Sequence, residues 1–413
     1  MNASGFLRHP DVLRLVEEAK QVCAGKQFSD ILDDSGNQYV DLVMEGGGVL
    51  GVALVGYTYL LESVGLRFLR IGGTSAGSIN ALLLAALGTP VDQKSEKILT
   101  ALANLNMIDF VDGSPSSRTF VDELIGRARK WILILRGLFL VNRLQLRLGL
   151  NPGIAFYFWL TGILKESGIT TTAALRARMR TLPEGLRTRD GGSLTPDDAD
   201  CYLALVAADI STETKVDFPR MAPLYWRDPD QVNPAMFVRA SMSIPFFFQP
   251  FQVKDVPQGP AAQQQWQQLA GYDGTPPEVC TFVDGGIMSN FPIDLFHNNS
   301  TIPLAPTFGV KLGSAHRQPH VVSTPIRLGA AAFNSARHCL DYDFIMRHPD
   351  YRRLVAHIDT FGFSWLDFGL NDEEKIVLFI CGVRAAAEFL RGFNWTQYKE
   401  VRRRMAETYA LAE

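Results

Sequence analysis

Residues 72 to 77 read Gly-Gly-Thr-Ser-Ala-Gly and centre Ser75 in a G-x-S-x-G pentapeptide. An apolar strand-like run, Phe68 to Ile71, precedes it, and a small-residue helical run, Ala76 to Leu87, follows. A serine on such a sharp strand-to-helix turn projects its hydroxyl away from the backbone, and the helix N-terminus offers amide dipoles to a developing anion. Ser75 is therefore a candidate nucleophile. Two further glycine-rich elements ask for the same explanation: Gly46-Gly47-Gly48 upstream and Asp284-Gly285-Gly286 far downstream. A serine esterase needs a base for its hydroxyl and amide donors about 3 Å from the oxyanion, and a glycine run lets backbone N–H groups point into a site unobstructed. His297, His316, His320 and His338 all follow Ser75, so a triad in the order serine, acid, histidine is one open reading, although none of the four sits on a strong strand-end signature.

The elements around these residues alternate. Residues 38–45 end in an apolar strand-like run, pass directly into Gly46 to Gly51, and continue as a helical stretch closed by Gly65. Strand Phe68 to Ile71, the Ser75 turn and its helix repeat that pattern, which implies parallel strands with helices on the faces. Both glycine turns then lie at the carboxyl ends of neighbouring strands, where open α/β sheets place their chemistry. Cys201 to Ile210, Thr281 to Gly286 and Thr307 to Leu312 read as further strands. The pattern predicts a three-layer α/β/α fold with a mainly parallel central sheet, one domain over residues 1–413 whose core occupies about 38–315. A helical, cap-like insertion is expected at about 95–183, a polar surface insertion from Asp255 to Cys280, and one or two helices over 371–413.

Four segments in order resemble the patatin-like phospholipase family: GGGVLG (Gly46 to Gly51), GTSAG (Gly73 to Gly77), RASMSIPFFFQP (Arg239 to Pro250) and DGGIMSNFP (Asp284 to Pro292). The resemblance covers roughly Asp41 to Leu312, and Asp359 to Leu390 is similar to the C-terminal part of many bacterial members. It implies that Ser75 is the nucleophile and Asp284 its partner in a dyad without histidine, that Gly46, Gly47 and Gly48 supply oxyanion-hole amides, and that Gly51, Gly73, Gly77, Gly285 and Gly286 shape the turns. Lipid acyl esters, membrane phospholipids above all, are the implied substrates. In one respect the chain departs from the pattern: Leu50 stands where many members carry Arg or Lys.

Composition bounds the alternatives. The 413 residues are 47% hydrophobic and 20% charged with a net charge of −3, an ordinary globular make-up with no chain-wide attraction to nucleic acid. Five scattered cysteines without a C-x-x-C pair argue against a disulfide framework, and no histidine or cysteine clustering points to a metal; no metal or organic cofactor is expected. The N-terminal residues lack a basic region followed by an apolar one, so a cytoplasmic location is expected. The oligomeric state is not legible. Residues 127–148 are rich in Arg and Lys with no acidic residue, and Arg129, Arg136 and Arg143 recur every seven, giving a helical stripe beside an apolar face. Such a helix suits peripheral contact with the anionic inner face of a membrane, although a cap packed over the core with its arginines solvated is the plainer reading. Phe246, Phe247 and Phe248 could line an acyl pocket or simply fill the core, and Trp266 could act in a lid or in local packing. A catalytically inert, lipid-binding member of the family is the non-enzymatic alternative, motivated by Leu50.

Overall fold

The computed structural model describes residues 2–114, 147–296, 301–313, 344–348 and 350–410, together with residues 322, 331 and 335. Twelve strands occur among them: β1 (Ile31–Leu32), β2 (Gln38–Met44), β3 (Leu66–Thr74), β4 (Gly149–Asn151), β5 (Arg187–Thr188), β6 (Tyr202–Asp209), β7 (Thr214–Phe218), β8 (Phe246–Phe248), β9 (Phe251–Lys254), β10 (Val279–Asp284), β11 (Thr307–Leu312) and β12 (Val355–Ile358). Ten of them form one sheet whose main path runs β12-β11-β2-β3-β6-β10-β9; β4 and β8 make a separate pair.

Helices cover both faces of this sheet, as the alternating pattern predicts. The sheet itself is mixed. From β12 to β6 every neighbour is parallel, but β10 runs antiparallel to β6 and to β9, and β7 folds back on β6. Four residues separate β6 from β7, a length that permits a hairpin and forbids a crossover. β2 and β6 are buried almost throughout, which is why both read as near-continuous apolar runs instead of alternating ones.

Two helices connect the early strands to the site. Gly51–Ser63 is buried on nearly every side, held between the sheet and the 21-residue helix Asp372–Gly392. The latter begins with a capping box, in which Asn371 accepts from the Glu374 amide and Glu374 accepts from the Asn371 amide. A second C-terminal helix, Trp395–Ala410, follows. β12 extends the sheet beyond the expected core of 38–315, and the Asp255 to Cys280 stretch contains a helix, Pro260–Ala270. Trp266 on that helix is fully buried against Tyr225 and Tyr272, at ring distances of 5.2 and 5.5 Å, so it packs locally and forms no lid.

Candidate active site

The elbow forms where β3 gives way to the helix Ala76–Ala86. Ser75, between them, holds φ 51° and ψ −117°, a conformation that costs a non-glycine residue strain and is kept only when its surroundings impose it. Those surroundings are close. A Cβ on Gly73 would lie 2.4 Å from the carbonyl carbon of Gly77, and one on Gly77 would lie 2.2 Å from the Met44 carbonyl oxygen, so side chains at either position would force the turn open. The Ser75 amide donates to Ser241 Oγ at 2.9 Å, and its carbonyl accepts from Ser78 Oγ and the Ile79 amide at 2.6 and 3.1 Å.

The glycine loop lies beside the elbow. A Cβ on Gly46 would come within 3.2 Å of Ser75 Cβ, which measures how nearly the loop touches the serine. Gly46 does not present its amide to the site, however: that N–H donates to the Asn290 carbonyl at 2.9 Å. Of the three amides expected in an oxyanion hole, those of Gly47 and Gly48 are the ones with no acceptor among the described residues. Gly48 has φ +54° and abuts the Trp365 carbonyl, which accepts from the Val49 amide at 3.1 Å. Asn290 brackets the loop further, donating from Nδ2 to the Gly46 carbonyl at 3.3 Å and to Glu45 Oε1 at 3.1 Å. Glu45 also accepts from the Leu312 amide at 2.7 Å and pairs with Lys311 Nζ at 3.1 Å, both side chains being buried. Leu50 is buried in the core, so the loop's nearest ionic support comes from Lys311 through Glu45 and not from position 50.

Asp284 ends β10 on the other side of β6. The register sets Thr74 opposite Val206 and Asp284 opposite Ala207, so Ser75 and Asp284 flank β6 at one level. The Asp284 amide donates to the Ser243 carbonyl at 2.8 Å, and Oδ1 accepts from the Gly286 amide at 2.8 Å. Gly285 lies so tightly on β6 that a Cβ would sit 2.1 Å from the Val206 carbonyl oxygen. One short segment thus grips both candidate residues: Ser241 holds the Ser75 amide while donating to the Val206 carbonyl at 2.6 Å, and Ser243 holds the Asp284 amide. Arg239 stiffens it. The buried guanidinium donates to Ser243 Oγ at 2.6 Å and to the Pro152 and Gln249 carbonyls at 2.7 Å each. Burial pushes its pKa down to about 10, with the charge of Asp112 acting in the opposite sense. The RASMS segment carried part of the family resemblance, yet nothing in its composition announces these roles.

Ser75 opens onto a narrow slot of about 70 Å³, walled by Ile79, Leu105, Phe110, Phe156, Trp159, Met242 and Phe248 among others. Only one of the three consecutive phenylalanines belongs to it. Phe247 stacks on Phe368 at 4.8 Å, and Phe246 points to solvent. The helical residues that form most of the wall were not singled out from sequence, because apolar residues at helical spacing also describe plain core. His297, His316, His320 and His338 lie outside the described residues, as do Arg129, Arg136 and Arg143. Among the described residues no group of three His, Cys, Asp or Glu side chains could hold a metal, and no helix is long and apolar enough to cross a membrane.

Residues 42–297 match the patatin-like phospholipase family, a span that contains the glycine loop, the elbow, the 239–250 segment and Asp284. The chain belongs to that family. Its members are lipid hydrolases, and a lipid is therefore the substrate class. An uncharacterized Bacillus subtilis (strain 168) protein, YqhO, is 29% identical over 360 residues, covering 87% of this chain and 99% of the relative. The crystal structure of VipD from Legionella pneumophila aligns over 88% of this patatin-like chain and 70% of its own, with 14% identity and a TM-score of 0.39, a likeness too loose to bear on fold or function.

Proposed function

We propose that this protein is a phospholipase A-type acyl hydrolase that cleaves carboxylic esters of membrane phospholipids through Ser75 and Asp284. The observation that carries the reading is the strained Ser75 at an apolar slot, beside two backbone amides, of Gly47 and Gly48, that have no acceptor among the described residues. Strain and unspent donors at a water-poor site are costs that a merely structural turn has no reason to bear.

In the proposed cycle the acyl chain occupies the slot and sets the ester carbonyl over Ser75. The Asp284 carboxylate accepts the hydroxyl proton as Oγ attacks, and the carbonyl oxygen becomes an oxyanion facing the Gly47 and Gly48 amides. Collapse expels the lysolipid alkoxide, which takes the proton back from Asp284 and leaves an acyl-serine. Water, deprotonated by the same carboxylate, attacks the acyl carbon and releases the fatty acid, with the proton returning to Ser75. A carboxylate is a weak base towards a serine hydroxyl, so positioning and oxyanion stabilisation carry most of the acceleration. The surroundings suit that division of labour: Arg239, Ser241 and Ser243 fix the two partners, and Asn290 fixes the loop.

The test is fatty-acid release from phospholipid vesicles by the parent, Ser75→Ala and Asp284→Asn proteins. Equal release by the three would overturn the proposal. Loss on changing Ser75, with Asp284→Asn fully active, would overturn the dyad alone.

A further inference from the structure

The helix Ile154–Glu166 breaks the usual rule for a surface helix. Its sequence carries no charge before Lys165, and it is apolar on both sides. Phe156 and Trp159 face the slot, whereas Ile154 and Phe158, one turn apart, are 55% and 65% exposed. The β4–β8 pair repeats the arrangement. Phe248 lines the slot at one end of β8; at the other, Phe246, opposite Gly149, is 71% exposed, and Leu148, next to Gly149, is 55% exposed. The two elements are joined by Pro152-Gly153, and Asp112 caps the helix through the amides of Gly153 and Ala155 at 2.9 and 3.0 Å. Single exposed apolar residues are normal, but four on two adjoining elements that also wall one slot form a surface needing a partner.

Resting on the proposed hydrolysis of phospholipid, we propose that this outer face seats on an anionic phospholipid bilayer, with Ile154, Phe158, Leu148 and Phe246 reaching the acyl region. Two observations select a bilayer over a second copy of the chain or another protein. The face is continuous with the walls of the acyl slot, so a lipid could pass from the membrane into the site without crossing water. The second is charge: Arg147, exposed, adjoins Leu148, and in sequence residues 127–147 hold basic residues and no acidic one, which complements anionic headgroups. Thirteen residues are too few to span a membrane, so the helix lies along the interface.

Binding to phosphatidylglycerol-rich vesicles, measured by co-sedimentation in a Ser75→Ala background so that the lipid is not consumed, tests this directly. Ile154→Glu and Phe158→Glu should each weaken binding about tenfold, since burying an apolar side chain in the interface and placing a carboxylate against anionic lipid differ by more than about 1.4 kcal/mol. Both should melt within a few degrees of the parent. Unchanged binding would overturn the proposal, as would a melting point lowered sharply enough to show that these side chains are packed within the protein. A polarity-sensitive dye on Phe158→Cys should shift to the blue on adding vesicles. A signal already blue without lipid and unmoved by it would mean that the chain or a second copy covers the face, which also overturns the proposal. Because binding is read in a protein without its nucleophile, failure of the hydrolysis reading would leave this result intact, and the reverse.

Discussion

The two edges of the central sheet at which its parallel strands begin and finish both bury ion pairs, but only the second also keeps a strained serine. Near the edge where β11 and β6 begin, Asp41 pairs with Arg70 at 2.6 Å, and Arg402 meets Asp350 at 3.2 Å while donating to the Thr301 carbonyl at 2.9 Å. Burial raises the Asp41 carboxyl above its ordinary value, and the Arg70 charge and hydrogen bond oppose that rise. Where β3 and β10 end, Ser75 instead holds a strained backbone, Gly47 and Gly48 keep amides with no described acceptor, and Asp284 Oδ1 accepts from the Gly286 amide at 2.8 Å. A buried charge that is paired costs desolvation and does no chemistry; a donor or nucleophile left available costs stability and can do some. The difference teaches where to look for function: where a strained serine and backbone amides without a described acceptor lie side by side.

The largest effect that could break this contrast is on rate. Ser75→Ala and Asp284→Asn should each lower vesicle hydrolysis by about a thousandfold or more while leaving the thermal midpoint within a few degrees. At the other edge the pattern should invert. Arg402→Met or Asp350→Asn leaves a buried charge without its partner and should cost about 3–5 kcal/mol of stability, measured by urea titration. The hydrolysis rate per folded molecule should then stay within about twofold. An active-site-sized rate loss from Arg402→Met would show that the two edges are coupled and the contrast false.

Smaller, and sharper, is the expected effect of Asn290→Ala. It removes the Nδ2 contacts to the Gly46 carbonyl and Glu45 without touching Ser75, Gly47 or Gly48. If Asn290 positions the glycine loop, kcat should fall about tenfold with KM nearly unchanged, because loosened oxyanion donors are felt in the transition state and not in the bound ester. A rise in KM alone would assign Asn290 to substrate binding instead.

How much of this was legible in advance follows the same division. Gly46 to Gly48, the Ser75 elbow and Asp284-Gly285-Gly286 are contiguous motifs whose composition reports a local backbone need, so their turns could be read locally, whereas the pairing of Ser75 with Asp284 came from the family resemblance of the set in order. What escaped reading depends on partners distant in sequence. The Gly46 amide is spent on Asn290, 244 residues away, and no local feature distinguishes it from the amides of Gly47 and Gly48. Phe246 to Phe248 read as one apolar unit, but on a strand neighbouring side chains face different surroundings, and one phenylalanine meets the slot while another meets solvent. β10 was recognised as a strand, yet its antiparallel direction was not, because side-chain alternation is the same whichever way a strand runs. The ion pairs of the opposite edge join residues 29 and 52 positions apart, and as isolated charges they carry no signature at all.

The last expected effect, on stability alone, concerns a buried cation that belongs to neither edge. Lys94 is 1% exposed, and its Nζ donates to the Thr89 carbonyl at 2.9 Å; the neighbouring Glu62 carboxylate accepts from the backbone amides of Lys94 and Ser95. Burial pushes the ammonium down to about 8, with Glu62 opposing the shift. The folded pKa thus lies below the unfolded value of 10.5, and between them the unfolded chain binds more protons than the folded one. Stability attributable to Lys94 should therefore rise from pH 8 to pH 10, by about 2 kcal/mol. Urea titrations of the parent and Lys94→Met at both pH values isolate that slope, since other titrating groups cancel in the difference. A parent-minus-variant stability that is flat with pH would mean that Lys94 is as well solvated or as well paired as the cations of the charged edge.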